Sequence, residues 1–171
     1  MSAASASLSA SVSIRPATRA DVKLIHRMIV ALAEYERSPE AVSGTPAMLA
    51  QALFGQWPAA EVLIAEVDSS PAGFALFHAT FSTWQCSSGL WLEDLYVDPA
   101  HRRAGVGRAL VRHLAALALQ RGCTRLEWVA LDWNEPALRF YERLGASVLS
   151  DWLLHRLEGP ALAQVADAGA A

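Results

Sequence analysis

The sequence predicts an α/β fold: a mixed, mainly antiparallel central sheet flanked by helices on both faces. Three observations carry that expectation. β-rich runs are grouped early, apolar residues at helical spacing stand on either side of them, and the second half holds a strand, helix, strand unit. With 171 residues and 53% hydrophobic content, one domain can bury a sizeable core.

Residues 1–12 are rich in Ala and Ser and carry few large apolar side chains. Burial there cannot offset the entropy of ordering, so a disordered N-terminal segment is expected. Residues 13–16 read as a short strand, and Thr18 with Asp21 has the spacing of a capping box in which Asp replaces Glu. The helix that follows carries Val22, Ile25, Ile29 and Leu32 on one stripe and ends near Glu36, ahead of Pro39. A second, shorter helix is predicted over 46–54. Runs 61–67, 72–77 and 90–97 are β-rich, and the first two are separated by turn-forming Asp68 to Pro71, which predicts consecutive antiparallel strands. After Gly105 the pattern changes to Val106, Leu110, Leu114 and Leu117, a helical stripe that stops at Gly122. Residues 125–131 read as another strand. Asn134 then caps a helix with Pro136 in its first turn, and Gly145 ends it. One or two strands over 148–157 close a domain spanning 13–158, and the Ala-rich residues 159–171 are expected to be a flexible tail.

Charge narrows the partners. The formal net charge of −3, from 14 Lys and Arg against 17 Asp and Glu, leaves no basic surplus for binding nucleic acid. Every hydrophobic stretch is interrupted before it reaches membrane-spanning length, so no membrane partner is expected either. Cys86 and Cys123 form no CxxC or CxxH pattern, and the five histidines lack ligand spacing, so neither a disulfide framework nor a metal is assigned. Buried thiols and the lack of a basic, apolar leader give a cytoplasmic expectation.

The stretch from Val97 to Arg108 carries the chemistry, because it joins a strand to an amphipathic helix and reads Arg102-x-x-Gly105-x-Gly107. Glycines at a helix start let the main chain approach a ligand, while unpaired N–H groups and the helix dipole favour an anion such as a diphosphate. Arg102, Arg103 and Arg108 add positive charge there. A Gly-Lys-Ser/Thr ending and a third glycine are both missing, which removes support for the nucleotide-hydrolysis and dinucleotide patterns.

This segment resembles the acetyl-coenzyme A diphosphate loop of the GNAT N-acyltransferases, and Asn134 to Ala146 resembles that superfamily's second hallmark helix. Ile14-Arg-Pro, Leu32-Ala-Glu-Tyr-Glu36, Leu92-Glu-Asp, Trp133-Asn-Glu-Pro and Phe140-Tyr141 are similar to the spermidine/spermine (diamine) and thialysine N-acetyltransferase branch. The resemblance implies acetyl-coenzyme A as co-substrate, with Leu95, Tyr96 and Val97 beside the thioester. Arg102, Arg103, Ala104, Gly105, Val106, Gly107 and Arg108 would hold its diphosphate, and Asn134 and Pro136 would meet its pantetheine arm.

The same resemblance implies the chemistry of the second substrate. A primary alkylamine is almost wholly protonated at neutral pH, so a group must take its proton. Glu93 matches the position that handles the amine, and Tyr141 the phenol that protonates the departing thiolate. Tyr35, Glu36, Glu93, Asp94, Asp132 and Glu135 would form the amine pocket, with Trp84, Trp133 and Trp152 as aromatic walls. Ser82 stands where the polyamine enzymes carry an acidic residue, which favours thialysine, a lysine-like compound or a short diamine over a long polyamine. A homodimer is implied as well. The alternatives are a GNAT enzyme for an antibiotic or protein amine, and an acetyl-coenzyme A sensor without turnover.

Overall fold

A computed structural model of the protein describes residues 11–167, which fall into two compact units, the first ending at Val129 and the second beginning at Ala130. The predicted N-terminal segment therefore lies almost wholly outside the described residues, apart from Ser11 and Val12.

The first unit is built on one sheet whose strands lie side by side in chain order: β1 (Val12–Pro16), β2 (Glu61–Val67), β3 (Ser70–Ser82), β4 (Ser87–Val97) and β5 (Leu126–Glu127). The first four are antiparallel neighbours, and β5 runs parallel to β4. Side chains alternate across the sheet and give each face its own core. Leu63, Ala65, Phe77, Leu90 and Leu92 pack with Leu110 and Leu114 of α3 (Val106–Gln120). Ile64, Phe74 and Tyr96 pack on the other face with Ile25 and Met28 of α1 (Val22–Tyr35) and Leu53 of α2 (Pro46–Phe54). Phe74 and Phe77 are both fully buried, one on each face, and truncating either would cost about 3–5 kcal/mol.

Local chemistry sets the helix starts. The Asp21 carboxylate accepts hydrogen bonds from the Thr18 N–H at 2.7 Å and the Thr18 hydroxyl at 2.9 Å, and takes two more from the Arg15 guanidinium, each at 2.9 Å. Arg15, chiefly, holds that carboxyl well below the usual carboxylate range and so ties β1 to the approach of α1. A single 3-10 turn, Arg19–Asp21, intervenes before α1. At α2 the Thr45 hydroxyl accepts from the Met48 N–H, with Pro46 in the first turn.

Pairing of β3 with β4 is the feature that shapes the site. Leu76 faces Asp94 and Phe77 faces Leu92, so Glu93 is an extra residue, a β-bulge. The bulge reverses the alternation. Leu90 and Leu92 face α3 before it, whereas Leu95 and Val97 face α3 after it and Tyr96 turns to the α1 side. Further along, a Cβ on Gly73 would sit 2.4 Å from the Tyr96 carbonyl oxygen, so only glycine lets β3 lie this close to the end of β4.

Four expectations differ from the structure. The strand predicted over 125–131 is paired only at Leu126–Glu127. Residues 148–157 form no strand, since β-propensity expresses packing against a neighbour and no strand of the described residues pairs with this run. Within the expected tail, α5 (Gly159–Asp167) is helical, because alanine lacks core-forming bulk yet has the highest helix propensity; residues 168–171 lie outside the described residues. The second unit also contains α4 (Glu135–Arg143), where the Asn134 side chain accepts from the Ala137 N–H at 3.3 Å and Gly145 leaves the helix at φ 85°. Cys123 is buried as expected, but Cys86 is exposed in the turn between β3 and β4.

Candidate active site

The loop from Asp98 to Gly105 enters α3 through a backbone that few sequences tolerate. Asp98 accepts the Ala100 N–H at 2.8 Å and starts a 3-10 turn over Pro99–His101. Arg103 (φ 67°) and Gly105 (φ 84°) are then both left-handed, with Ala104 between them. Left-handed residues beside right-handed ones are the ingredient of an anion-binding nest, although the Ala104 N–H is already committed to the His101 carbonyl at 3.3 Å. The first-turn N–H groups of Val106, Gly107 and Arg108 add to it, because no earlier helical carbonyl can accept them. Arg103, Ala104, Gly105 and Arg108 are exposed. The Arg108 side chain lines a groove of about 410 Å³ with Ile14, Ala109 and Arg112. Arg102 behaves differently, for its guanidinium stacks 4.8 Å from the centre of the Tyr35 ring and its Nε donates to the Val97 carbonyl at 3.3 Å.

The sheet opens beside this loop. β4 and β5 pair only at Leu90 with Leu126 and at Trp91 with Glu127, while β4 continues to Val97. Main-chain groups alternate too, and the Asp98 N–H donates to the Ala72 carbonyl across β3 at 2.9 Å. Leu95 and Val97, offset from Asp98 by odd steps, therefore present their N–H groups to the open edge, whereas Tyr96 presents its own to β3 and buries its ring beside Phe74.

Three carboxyl groups gather on the α1 side of β4. Without the bulge, Glu93 and Asp94 would point to opposite faces; with it, the charge of Glu93 acts on Asp94. Burial first, then Glu93 and Glu36, push the Asp94 carboxyl up to about 6. Burial likewise raises Glu36, at the end of α1 beside Tyr35. Glu93 itself is exposed, and its Oε2 accepts the Trp91 indole N–H at 2.8 Å and lies 3.8 Å from His78 Nε2. The position of His78 opposite Trp91 follows from strand register and not from a motif.

Trp84 is 84% exposed in the turn between β3 and β4, where buried Ser82 accepts the Gln85 N–H and so shapes the turn. In the second unit, Asp132 and Trp133 precede α4 and are exposed, and Pro136 lies in its first turn. Glu135 pairs with Arg139 at 2.7 Å, and the Tyr141 ring packs against Phe140 with centres 5.1 Å apart. Among the described residues, no group of three or more His, Cys, Asp or Glu side chains is placed to hold a metal ion. None of the helices among them is long and apolar enough to cross a membrane.

The family model described as Acetyltransferase (GNAT) family matches residues 29–146. A thialysine N-epsilon-acetyltransferase of Bos taurus is 36% identical, the match covering 91% of this chain and 97% of that one. An L-ornithine N5-acetyltransferase of Arabidopsis thaliana is 30% identical over 87% of this chain and 85% of its own. Among solved structures, an integron cassette protein from the mobile metagenome of V. cholerae superposes with a TM-score of 0.77 at 28% identity, covering 91% of this chain and 98% of that one.

Proposed function

The chain belongs to the GNAT acetyltransferase family, and from that premise we propose that it transfers acetyl from acetyl-coenzyme A to a primary amine of a small, lysine-like molecule. Thialysine and ornithine, which the names of its relatives specify, are both amino acids with an amine at the end of the side chain. The observation that carries the reading is the meeting of the left-handed loop at Arg103 and Gly105 with the open edge of β4.

In this reading the domain spans 13–158. Acetyl-coenzyme A, when bound, supplies an activated thioester. The N–H groups of Arg103 and of residues 105–108 receive its diphosphate, with Arg103 and Arg108 adding charge, and Asn134 and Pro136 meet the pantetheine arm. Arg102 anchors the loop through Tyr35 and Val97. Tyr35, Glu36, Asp132, Trp133 and Trp84 contribute to the amine pocket, and exposed Glu93 attracts the ammonium. Asp94, whose carboxyl is pushed up to about 6 chiefly by burial, shares with Glu93 the role of accepting its proton. Leu95 and Val97 offer N–H donors where negative charge develops on the carbonyl oxygen, each worth about 3 kcal/mol in comparable sites. Tyr141 gives its phenolic proton to the departing thiolate. A homodimer and a cytoplasmic setting complete the proposal, the second supported by two unpaired thiols.

Release of free thiol, measured over lysine, thialysine, ornithine, short diamines and polyamines, tests the reaction. Lysine-like amines should be the best substrates, and Tyr141→Phe should lower kcat by about 10²-fold. Undiminished turnover at neutral and alkaline pH in that variant would remove the acid role. Binding of acetyl-coenzyme A with no thiol release for any amine would favour a sensor.

A further inference from the structure

Resting on the acetyl-coenzyme A reading, we propose that the groove along α3 seats the ribose 3′-phosphate of the cofactor on Arg112, and so discriminates coenzyme A from its 3′-dephospho form. Arg108 and Arg112 stand one turn apart on the exposed face of α3, turned away from the buried stripe of Val106, Leu110 and Leu114. Neither makes an ion pair among the described residues, whereas Arg15, Arg121, Arg125 and Arg139 each have a carboxylate partner. Both placements work against the helix itself. Like charges four residues apart repel, and Arg108, in a first turn without acidic residues, opposes the helix dipole. An anion held against the pair removes both penalties.

The groove beside this pair has the reach that such an anion needs. Ile14 of β1, Ala109 and Ala116 give it an apolar lining around about 410 Å³, within the range of small-molecule sites. No acidic side chain among the described residues lines it. Gly105 does, so the groove continues from the loop that takes the diphosphate in the proposed reaction. Every lining residue belongs to the first unit, and the seat needs nothing from the second. Coenzyme A carries its diphosphate on the 5′ oxygen of the ribose and a separate phosphate on the 3′ oxygen, one sugar away. Along α3, Arg112 lies about 6 Å beyond Arg108, the rise of four helical residues. Arg108 beside the diphosphate and Arg112 one turn further therefore match two phosphate groups joined through one ribose. A phosphomonoester brings about −1.5 to −2 charges at pH 7 and three acceptor oxygens, which suits an unpaired guanidinium fork.

Calorimetric titration of the whole protein with coenzyme A and with 3′-dephospho-coenzyme A tests the seat without turnover. The parent should bind coenzyme A about tenfold more tightly, the scale of one hydrogen bond between charged groups. Arg112→Gln should weaken coenzyme A by about that factor and leave the dephospho form unchanged, so that the two affinities meet. Arg112→Lys, which keeps the charge but loses the fork, should retain part of the gap. Equal affinities in the parent overturn the seat and leave the acetyl-coenzyme A reading standing. An equal loss for both ligands in R112Q overturns it too, because a merely structural role weakens the two alike. In ³¹P spectra the 3′-phosphate resonance of bound coenzyme A should move on binding to the parent and lose that movement in R112Q, with the diphosphate resonances the same in both. A 3′-phosphate resonance indifferent to the substitution overturns the proposal. Binding of neither form by the parent removes the acetyl-coenzyme A reading itself, and the seat with it.

Discussion

Asp94 shows how one residue can serve chemistry at the expense of the fold. Its carboxyl is pushed up to about 6 by burial and by the negative neighbours Glu93 and Glu36. Between about pH 4 and that value the folded protein binds more protons than the unfolded chain, so the stability contributed by this group falls as pH rises through the window. Above it the penalty is fully present. Asp94→Asn should therefore stabilise the protein at pH 7 by about 1–2 kcal/mol, a figure below the full shift because water still screens the site. Urea unfolding of both proteins should show the gap at pH 7 and its closure near pH 4. The same variant should lose the acidic limb of its pH–rate profile and about 10²-fold in kcat/KM. A variant less stable than the parent at pH 7 would contradict the electrostatic account. At this scale the sequence was only half legible: Glu93-Asp94 stands out as a pair, but two adjacent strand residues ordinarily face opposite sides. Only the register between Leu76 and Phe77 reveals that they share one face.

Single elements were legible where local signals agree. The second helix, predicted over 46–54, has those bounds because Thr45 caps it and Pro46 fits its first turn, and Gly122 and Gly145 end their helices at φ 70° and φ 85° as expected. Strand ends fared worse, since β5 stops at Glu127 for lack of pairing and not for any change in composition. The entry to α3 offers the sharpest test. Gly105 sits at φ 84° with nothing within 4 Å of where a Cβ would lie, so the cost of a side chain there is conformational and not steric crowding. Gly105→Ala should cost about 1 kcal/mol of stability. The proposed nest should suffer more than the fold, because a residue that escapes the left-handed region turns its neighbours' N–H groups apart. Calorimetric titration should then show acetyl-coenzyme A binding weakened by about tenfold, far beyond what a change confined to unfolding would produce. Equal affinity in G105A and parent would place the diphosphate elsewhere.

For the whole molecule, the run over 148–157 poses the main physical question. Val148, Trp152, Leu153 and Leu154 are 85%, 67%, 78% and 69% exposed, close together in sequence and rich in strand-forming side chains. A soluble monomer rarely leaves so contiguous an apolar stretch in water, and each such side chain brought under cover would contribute about 1.5–3 kcal/mol. The sheet has a matching shortage, because its last strand is only two residues long and no strand among the described residues pairs beyond it. A second copy of the chain meets both needs, which is the physical case for the homodimer proposed above. Light scattering on a sizing column should give a mass near twice 18.4 kDa at micromolar concentration. Placing charges in the run with Val148→Asp and Leu153→Lys should shift that mass to the monomer value, since an unpaired charge at a covered apolar site costs several kcal/mol. Acetyl-coenzyme A binding separates loss of the dimer from loss of the fold, because the nest before α3 belongs to the first unit and should still titrate in the charged variant. A parent protein that is monomeric at high concentration would leave the exposed run without a partner of its own kind and sink the dimer.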